Sequence, residues 1–468
     1  MQAFLILLIS ALLLYGIIKR MLPQGLLFLA GAALFAGTVL LGWGDGKIPV
    51  ANPTGSVFFD FFELLKEIFS DRFAHLGLTI MMVGGFAKYL AHIQASNKLV
   101  EYAVKPLGRI KEPYVLLSFF YILSVFLNMF ITSATGLGLL LMVTVYPILI
   151  GMGLSRLSVV GMIVTTGSLE LGPVQANLIV AAELSKLDPV DYFIHYQLPV
   201  AIPTMLVIAV AHYFWQKRCD VKMNHNVELA RENPDYLEGE ECTESCDLKK
   251  VPWYYALLPL IPFVVIMLFS KIAHTVGIDF GIKLDLISAL IFSVAVVMFI
   301  DFINQRGRLG ITLENFNAFL KGMETMVPVV TLVVAGSFFA QGLLASGGVD
   351  MLVNLAENSG MGAVGMTVVM VLIIMVAAAL MGSGNASFIP LANIAPPVAK
   401  RFGVDAVMML LPMQLVSSLA RVLSPIVAVS IACAGMAGLN TIDVVKRTSV
   451  PILLGIVTML ATTLIMFG

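Results

Sequence analysis

Charge is what this sequence has least of. Only 12% of its 468 residues are Asp, Glu, Lys or Arg, where a soluble domain carries about 25%, while 59% are hydrophobic and the mean hydropathy is +0.95. Such a chain belongs in a bilayer. The net charge is −1, no basic arm or aromatic platform is present, and no nucleic-acid partner is expected. Cys219, Cys242, Cys246 and Cys433 are too few for a disulfide framework. The run C-T-E-S-C (242–246), with His225 nearby, lacks a standard zinc spacing and reads as reduced thiols in a solvated loop. There is no hydrolase triad and no metal cluster. G-S-G-N-A (382–386) is not a phosphate loop, because no Lys–Ser/Thr follows it in a strand–helix setting. With no catalytic constellation an enzyme is not expected, and without a nucleotide site the driving energy must come from gradients. No ring of like charge or carbonyl filter marks a channel. No small-residue cleavage site follows the first apolar run, Ala3 to Ile18, which ends at Lys19–Arg20, so no cleavable signal is expected.

What is present is an all-α integral membrane pattern. Apolar runs long enough to span fall near 2–18, 24–43, 74–95, 157–182, 198–215, 253–272, 284–303, 326–345, 405–437 and 450–467. Two more, about 114–150 and 362–399, are interrupted by S-A-T-G and G-S-G-N and read as re-entrant hairpins. The expected architecture is about ten transmembrane helices plus two hairpins. Residues 54–70 and 311–324 mix Phe with Glu and Lys at helical spacing, as amphipathic helices lying at the interface do.

The chain also repeats. An offset of 252 sets Thr165, Thr166 and Pro173 against Ser417, Ser418 and Pro425, and Gly84, Asp191 and Pro199 against Gly336, Asp443 and Pro451. Near the tips an offset of 250 pairs Ser133 with Ser383 and Gly153 with Gly403. The expected domains are N-terminal scaffold helices with an interfacial helix (1–76), a first repeat (77–216), a cytoplasmic linker (217–252), further scaffold helices (253–328) and a second repeat (329–468). Lys19, Arg20, Lys98, Lys105, Arg109, Lys111, Lys217, Arg218, Lys249, Lys250, Arg306, Arg308, Lys446 and Arg447 all fall on one side if both termini are periplasmic. The loop 346–361, with Asp350 and Glu357 and no basic residue, then lies outside, and Lys400–Arg401 is the exception. In this topology the hairpins enter from opposite sides and the repeats are inverted.

Broken helices at mid-membrane expose backbone dipoles to ions or anions. The tips offer Ser133, Ala134, Thr135, Gly136 and Ser383, Gly384, Asn385, Ala386; the breaks that follow offer Thr165, Thr166 and Ser417, Ser418, Arg421, Ser424. The competing reading of such small residues is close helix packing. Glu170 and Arg421 each sit in mid-span just before a Gly-Pro or Ser-Pro break, where a charge costs about 2.5–3.5 kcal/mol or more and is normally paired or functional. Arg421 is expected to grip a substrate carboxylate with its planar fork; the alternative is a buried salt bridge with Glu170. The coupling ion is expected at Glu170 if it is a proton, or at Thr135 and Asn385 if it is Na+. Lys88 and His92 are read as snorkelling towards the cytoplasmic interface.

With R-V-L-S-P (421–425), V-V-K-R-T-S-V-P-I-L, M-M-V-G-G-F-A-K-Y-L-A-H-I, S-A-T-G-L-G-L-L-L, A-H-Y-F-W-Q and G-S-G-N-A in view, the chain resembles the DcuC family of anaerobic C4-dicarboxylate carriers over nearly its whole length. The resemblance implies an inner-membrane carrier of succinate, fumarate or malate, built like the dimeric elevator proteins of the ion-transporter superfamily. The expected partners are therefore a small carboxylate, membrane lipid and a second copy of the chain, with no cofactor beyond a coupling ion. Two alternatives stay open: a carrier of an amino acid or amino-acid-derived anion, with Glu170 holding an ammonium, and an anion channel.

Overall fold

The computed structural model describes residues 2–19, 21–43, 48–106, 110–225, 227, 251–269, 284, 286–351, 354 and 362–467. The expected linker over 217–252, with Cys242 and Cys246, lies largely outside the described residues. Every element among the described residues is helical. Six helices are long and apolar enough to cross a membrane: Pro23–Leu41, Pro189–Lys222, Leu286–Asn304, Leu309–Ala345, Ala363–Met381 and Thr441–Phe467. The others are shorter, and several meet end to end at polar breaks.

Two junctions differ from expectation. The helix Val57–Arg72 passes through a π turn, Phe73–Gly77, directly into Leu78–His92, and residues 311–324 form the first part of the 37-residue helix Leu309–Ala345. Both amphipathic stretches run on without a break into the helices that follow them. The first has a protein partner for part of its apolar face: Leu64 and Ile68 are buried against Phe35, Val334 and Phe338, while Val57, Phe58, Phe59 and Phe62 on the same helix stay exposed.

The helices Leu78–His92 and Leu309–Ala345 approach closely through glycine. A Cβ on Gly322 would stand 2.6 Å from the Gly84 carbonyl oxygen and 2.7 Å from Gly85 Cα. At this contact only hydrogen atoms fit between the backbones, so the two helices form one stiff wall.

Both S-x-x-G-like tips break where local chemistry ends one helix and caps the next. Pro113–Asn128 ends at a turn in which Asn128 Nδ2 donates to the Ile131 carbonyl and Gln175 Nε2 to the Asn128 carbonyl. Ser133 then caps the first tip helix, Ala134–Thr144, by accepting from Gly136 N at 3.1 Å. Ala363–Met381 stops at Gly382 (φ +67°), and Ser383 caps the second tip helix, Gly384–Ala392, through Ala386 N. A side chain at Gly382 would be doubly excluded, by that φ and by Val427 N 3.0 Å from the Cβ position.

The tip helices pack reciprocally. The first lies on Ala428–Met436, where a Cβ on Gly138 would meet Val429 at 2.6 Å, and the second lies on Ala176–Leu184. Each tip is thus held by the far part of the broken span from the other half of the chain.

Candidate functional site

The two broken spans are Arg156–Val164 with Ala176–Leu184, and Ala406–Arg421 with Ala428–Met436. In the first, a 3-10 turn (Thr165–Gly167) leads into an irregular stretch in which Glu170 (φ +43°) and Gly172 (φ +117°) have left-handed backbone. Unpaired backbone is costly in lipid. Here Gln197, fully buried, clamps it from both ends of its amide: Nε2 donates to the Glu170 carbonyl at 3.1 Å, and Oε1 accepts from Gly172 N at 3.4 Å. The Gly167 carbonyl accepts from Arg421 Nη2 at 2.7 Å.

Arg421 is the last residue of its helix, where a cation complements the dipole. Its Nη1 stands 2.8 Å from Glu170 Oε1, with the two side chains only 14% and 10% exposed. The other carboxylate oxygen accepts from Ser418 Oγ at 2.8 Å and Asn177 Nδ2 at 3.2 Å, and Asn177 Nδ2 also reaches Ser417 Oγ at 3.5 Å. Three side-chain donors, from Arg421, Ser418 and Asn177, thus converge on the one carboxylate. The paired alternative for Glu170 and Arg421 is therefore the one this conformation realises.

The tips meet this pair. A Cβ on Gly167 would collide with Ala134 at 2.5 Å, and one on Gly384 would lie within 3.5 Å of Ser417 O, Arg421 Cδ and Asn177 Nδ2. Beside them opens a cavity of about 410 Å³, whose wall includes Ser133, Gly136, Glu170, Asn385 and Arg421. That volume lies within the ~300–1,000 Å³ range of small-molecule sites.

The remaining expected residues stand behind the wall. Thr165 Oγ1 donates to the Met162 carbonyl and pairs with His212 Nε2 at 3.0 Å, and Ser417 Oγ donates to the Gln414 carbonyl. Ser383 and Ala386 form the tip cap, and Thr135 lies in the first turn of its tip helix, outside the cavity lining. Thr166 Oγ1, Ser424 Oγ and Asn177 Oδ1 are buried without a hydrogen-bond partner. Left so, each costs about 1–3 kcal/mol, and their clustering at the two breaks marks a place where polar groups are held for use.

Sequence reasoning missed three contributors, Asn177 and Gln197, which organise Glu170, and Asn97, which lines the cavity; Lys88, read as snorkelling, lines the cavity too. It also missed a second buried ion pair, Arg447 Nη2 to Asp220 Oδ1 at 2.8 Å. Asp220 accepts further from Ser155, Ser158 and Tyr114, and Arg447 donates to Ser158 and Gln216.

A multi-pass helical chain whose broken helices border a charged cavity has the build of a transporter. More narrowly, the chain belongs to the C4-dicarboxylate anaerobic carrier (DcuC) family, whose pattern matches residues 1–468. It is 36% identical over 454 residues to the probable anaerobic C4-dicarboxylate transporter DcuC of Vibrio cholerae, covering 97% of this chain and 95% of that protein. It is 31% identical over 472 residues to the anaerobic C4-dicarboxylate transporter DcuC of Escherichia coli K12, covering 100% of this chain and 98% of that one. The fold is similar to the crystal structure of the Alcanivorax borkumensis YdaH transporter (TM-score 0.64, 14% identity, 94% of this chain and 96% of that one). It is also similar to Neisseria gonorrhoeae MtrF (TM-score 0.59, 15% identity, 94% of each chain).

Proposed function

We propose that this chain is a secondary active carrier of C4-dicarboxylates such as succinate, fumarate and malate, working in the inner membrane as a homodimer with both termini periplasmic. The observation that carries the reading is the cavity beside the Glu170–Arg421 pair, in a chain of this family. Two inverted repeats, 77–216 and 329–468, are supported by the reciprocal packing of the tips on the opposite broken spans. The flanking segments 1–76 and 253–328 then serve as scaffold, and an elevator movement of the tips and breaks against it gives alternating access.

The proton is the coupling ion in this reading. While Glu170 is ionised it occupies Arg421; a proton on Glu170 releases the guanidinium for a substrate carboxylate and offsets one of the two incoming negative charges. Na+ held at Thr135 and Asn385 is the alternative. An amino-acid substrate is less well supported, because Glu170 is already engaged by Arg421, Ser418 and Asn177 and has little capacity left for an ammonium.

Counterflow of labelled succinate in proteoliposomes tests the proposal. Saturable exchange that follows a pH gradient and is equal in sodium and choline buffers is expected. Absence of exchange would overturn the carrier reading, and strict sodium dependence would move the coupling ion to the tips.

A further inference from the structure

A dicarboxylate brings two negative ends, and the breaks supply one arginine. Among the titratable residues lining the cavity are Arg421, Glu170 and Lys88, two cations and one anion. Lys88 stands on Leu78–His92, in the stiff wall formed with Leu309–Ala345, which also contributes Thr325 and Met326 to the lining. It is solvent-accessible although its neighbours Tyr89 and Leu90 are fully buried, and among the described residues no carboxylate pairs with it. A cation left exposed towards a cavity, on a helix otherwise packed with apolar side chains, is placed to meet an anion from that cavity. The offset that pairs Gly84 with Gly336 pairs Lys88 with Ala340, which is buried, so repeat packing does not demand a lysine here.

We propose that Lys88 binds the second carboxylate of the substrate and thereby makes the carrier specific for dianions over monoanions. The inference rests on the carboxylate-carrier reading. Arg421 takes one carboxylate from the breaks, Lys88 the other from the helix Leu78–His92, and a monocarboxylate satisfies only the first. Lysine suits this position because its compact ammonium on a long stem follows a mobile chain end without demanding a fixed fork. Snorkelling alone would place the same group in the cavity mouth, but it predicts no dependence on the substrate's second charge.

The test compares succinate with its monoamide, succinamate, as inhibitors of labelled succinate exchange in proteoliposomes. Wild type is expected to prefer succinate strongly. Lys88→Gln should weaken succinate about 10- to 100-fold and leave succinamate within about threefold of wild type, so that the preference collapses. Lys88→Arg, which retains the cation, should keep the preference within about threefold. A Lys88→Gln protein that discriminates as wild type does, or equal loss of both inhibitors, overturns the proposal. If Lys88→Gln does not give a monodisperse protein, Lys88→Arg decides: loss of discrimination with the charge still present is equally fatal. Failure of wild type to exchange succinate at all refutes the underlying carrier reading instead.

Discussion

Replacing Arg421 separates its two possible duties. In the structure its guanidinium meets Glu170 Oε1 at 2.8 Å and the Gly167 carbonyl at 2.7 Å, and the residue also lines the cavity. Arg421→Gln strands the Glu170 carboxylate with only Ser418 and Asn177, and breaking one side of a buried pair costs about 3–5 kcal/mol. Expressed as binding, that is roughly two to three and a half orders of magnitude. Arg421→Lys keeps the charge but cannot serve Glu170, Gly167 and a substrate together, and should also lose most affinity. The decisive protein is Arg421→Gln with Glu170→Gln, in which no charge is stranded. All three proteins would be reconstituted and assayed for succinate exchange, with thermal melting in detergent as the check on folding. A double variant that melts like wild type but does not transport is the expected result. Substantial transport by it would refute a carboxylate role for Arg421 and leave it as the neutraliser of Glu170.

Two further outcomes concern the fold. Arg447→Met should destabilise the protein by about 3–5 kcal/mol by leaving Asp220 buried without its cation, and adding Asp220→Leu should recover much of that loss in a thermal melt; a single variant as stable as wild type would refute the account. Gly322→Ala places a methyl group against the backbone of Gly84 and Gly85, and should cost about 1–3 kcal/mol in the same assay; an unchanged melting temperature would show that the two helices can separate freely.

The breaks were legible because they are written in short-range chemistry. Serine caps and Gly382 act within a few residues, and a charge in mid-span stands out against apolar neighbours. Glu170 with Arg421 could be paired on those grounds alone. Asn177 and Gln197 could not, since an amide in an apolar helix carries no charge signal and shows its purpose only once the break folds over it. Asp220 and Arg447 look like loop charges because the apolar runs stop short of them. The helix Leu198–Lys222 instead continues, and His212, Gln216 and Asp220, each four residues apart, share its buried face. That spacing was visible in the sequence. The first amphipathic stretch shows its helical period in the sequence but not its packing partner, since Leu64 and Ile68 lie against Phe338, which is remote in sequence.

Both buried ion pairs take their carboxylate from the first half of the chain, Glu170 and Asp220, and their arginine from the second, Arg421 and Arg447. During synthesis the acids therefore enter the membrane well before their partners exist. At ~5–20 residues per second the wait is roughly ten to fifty seconds. Through that interval neither carboxyl has its arginine, so the nascent first half is a provisional insertion product. A chain cut short before Arg421 keeps both acids, Glu170 and Asp220, without the arginines that pair with them in the full chain.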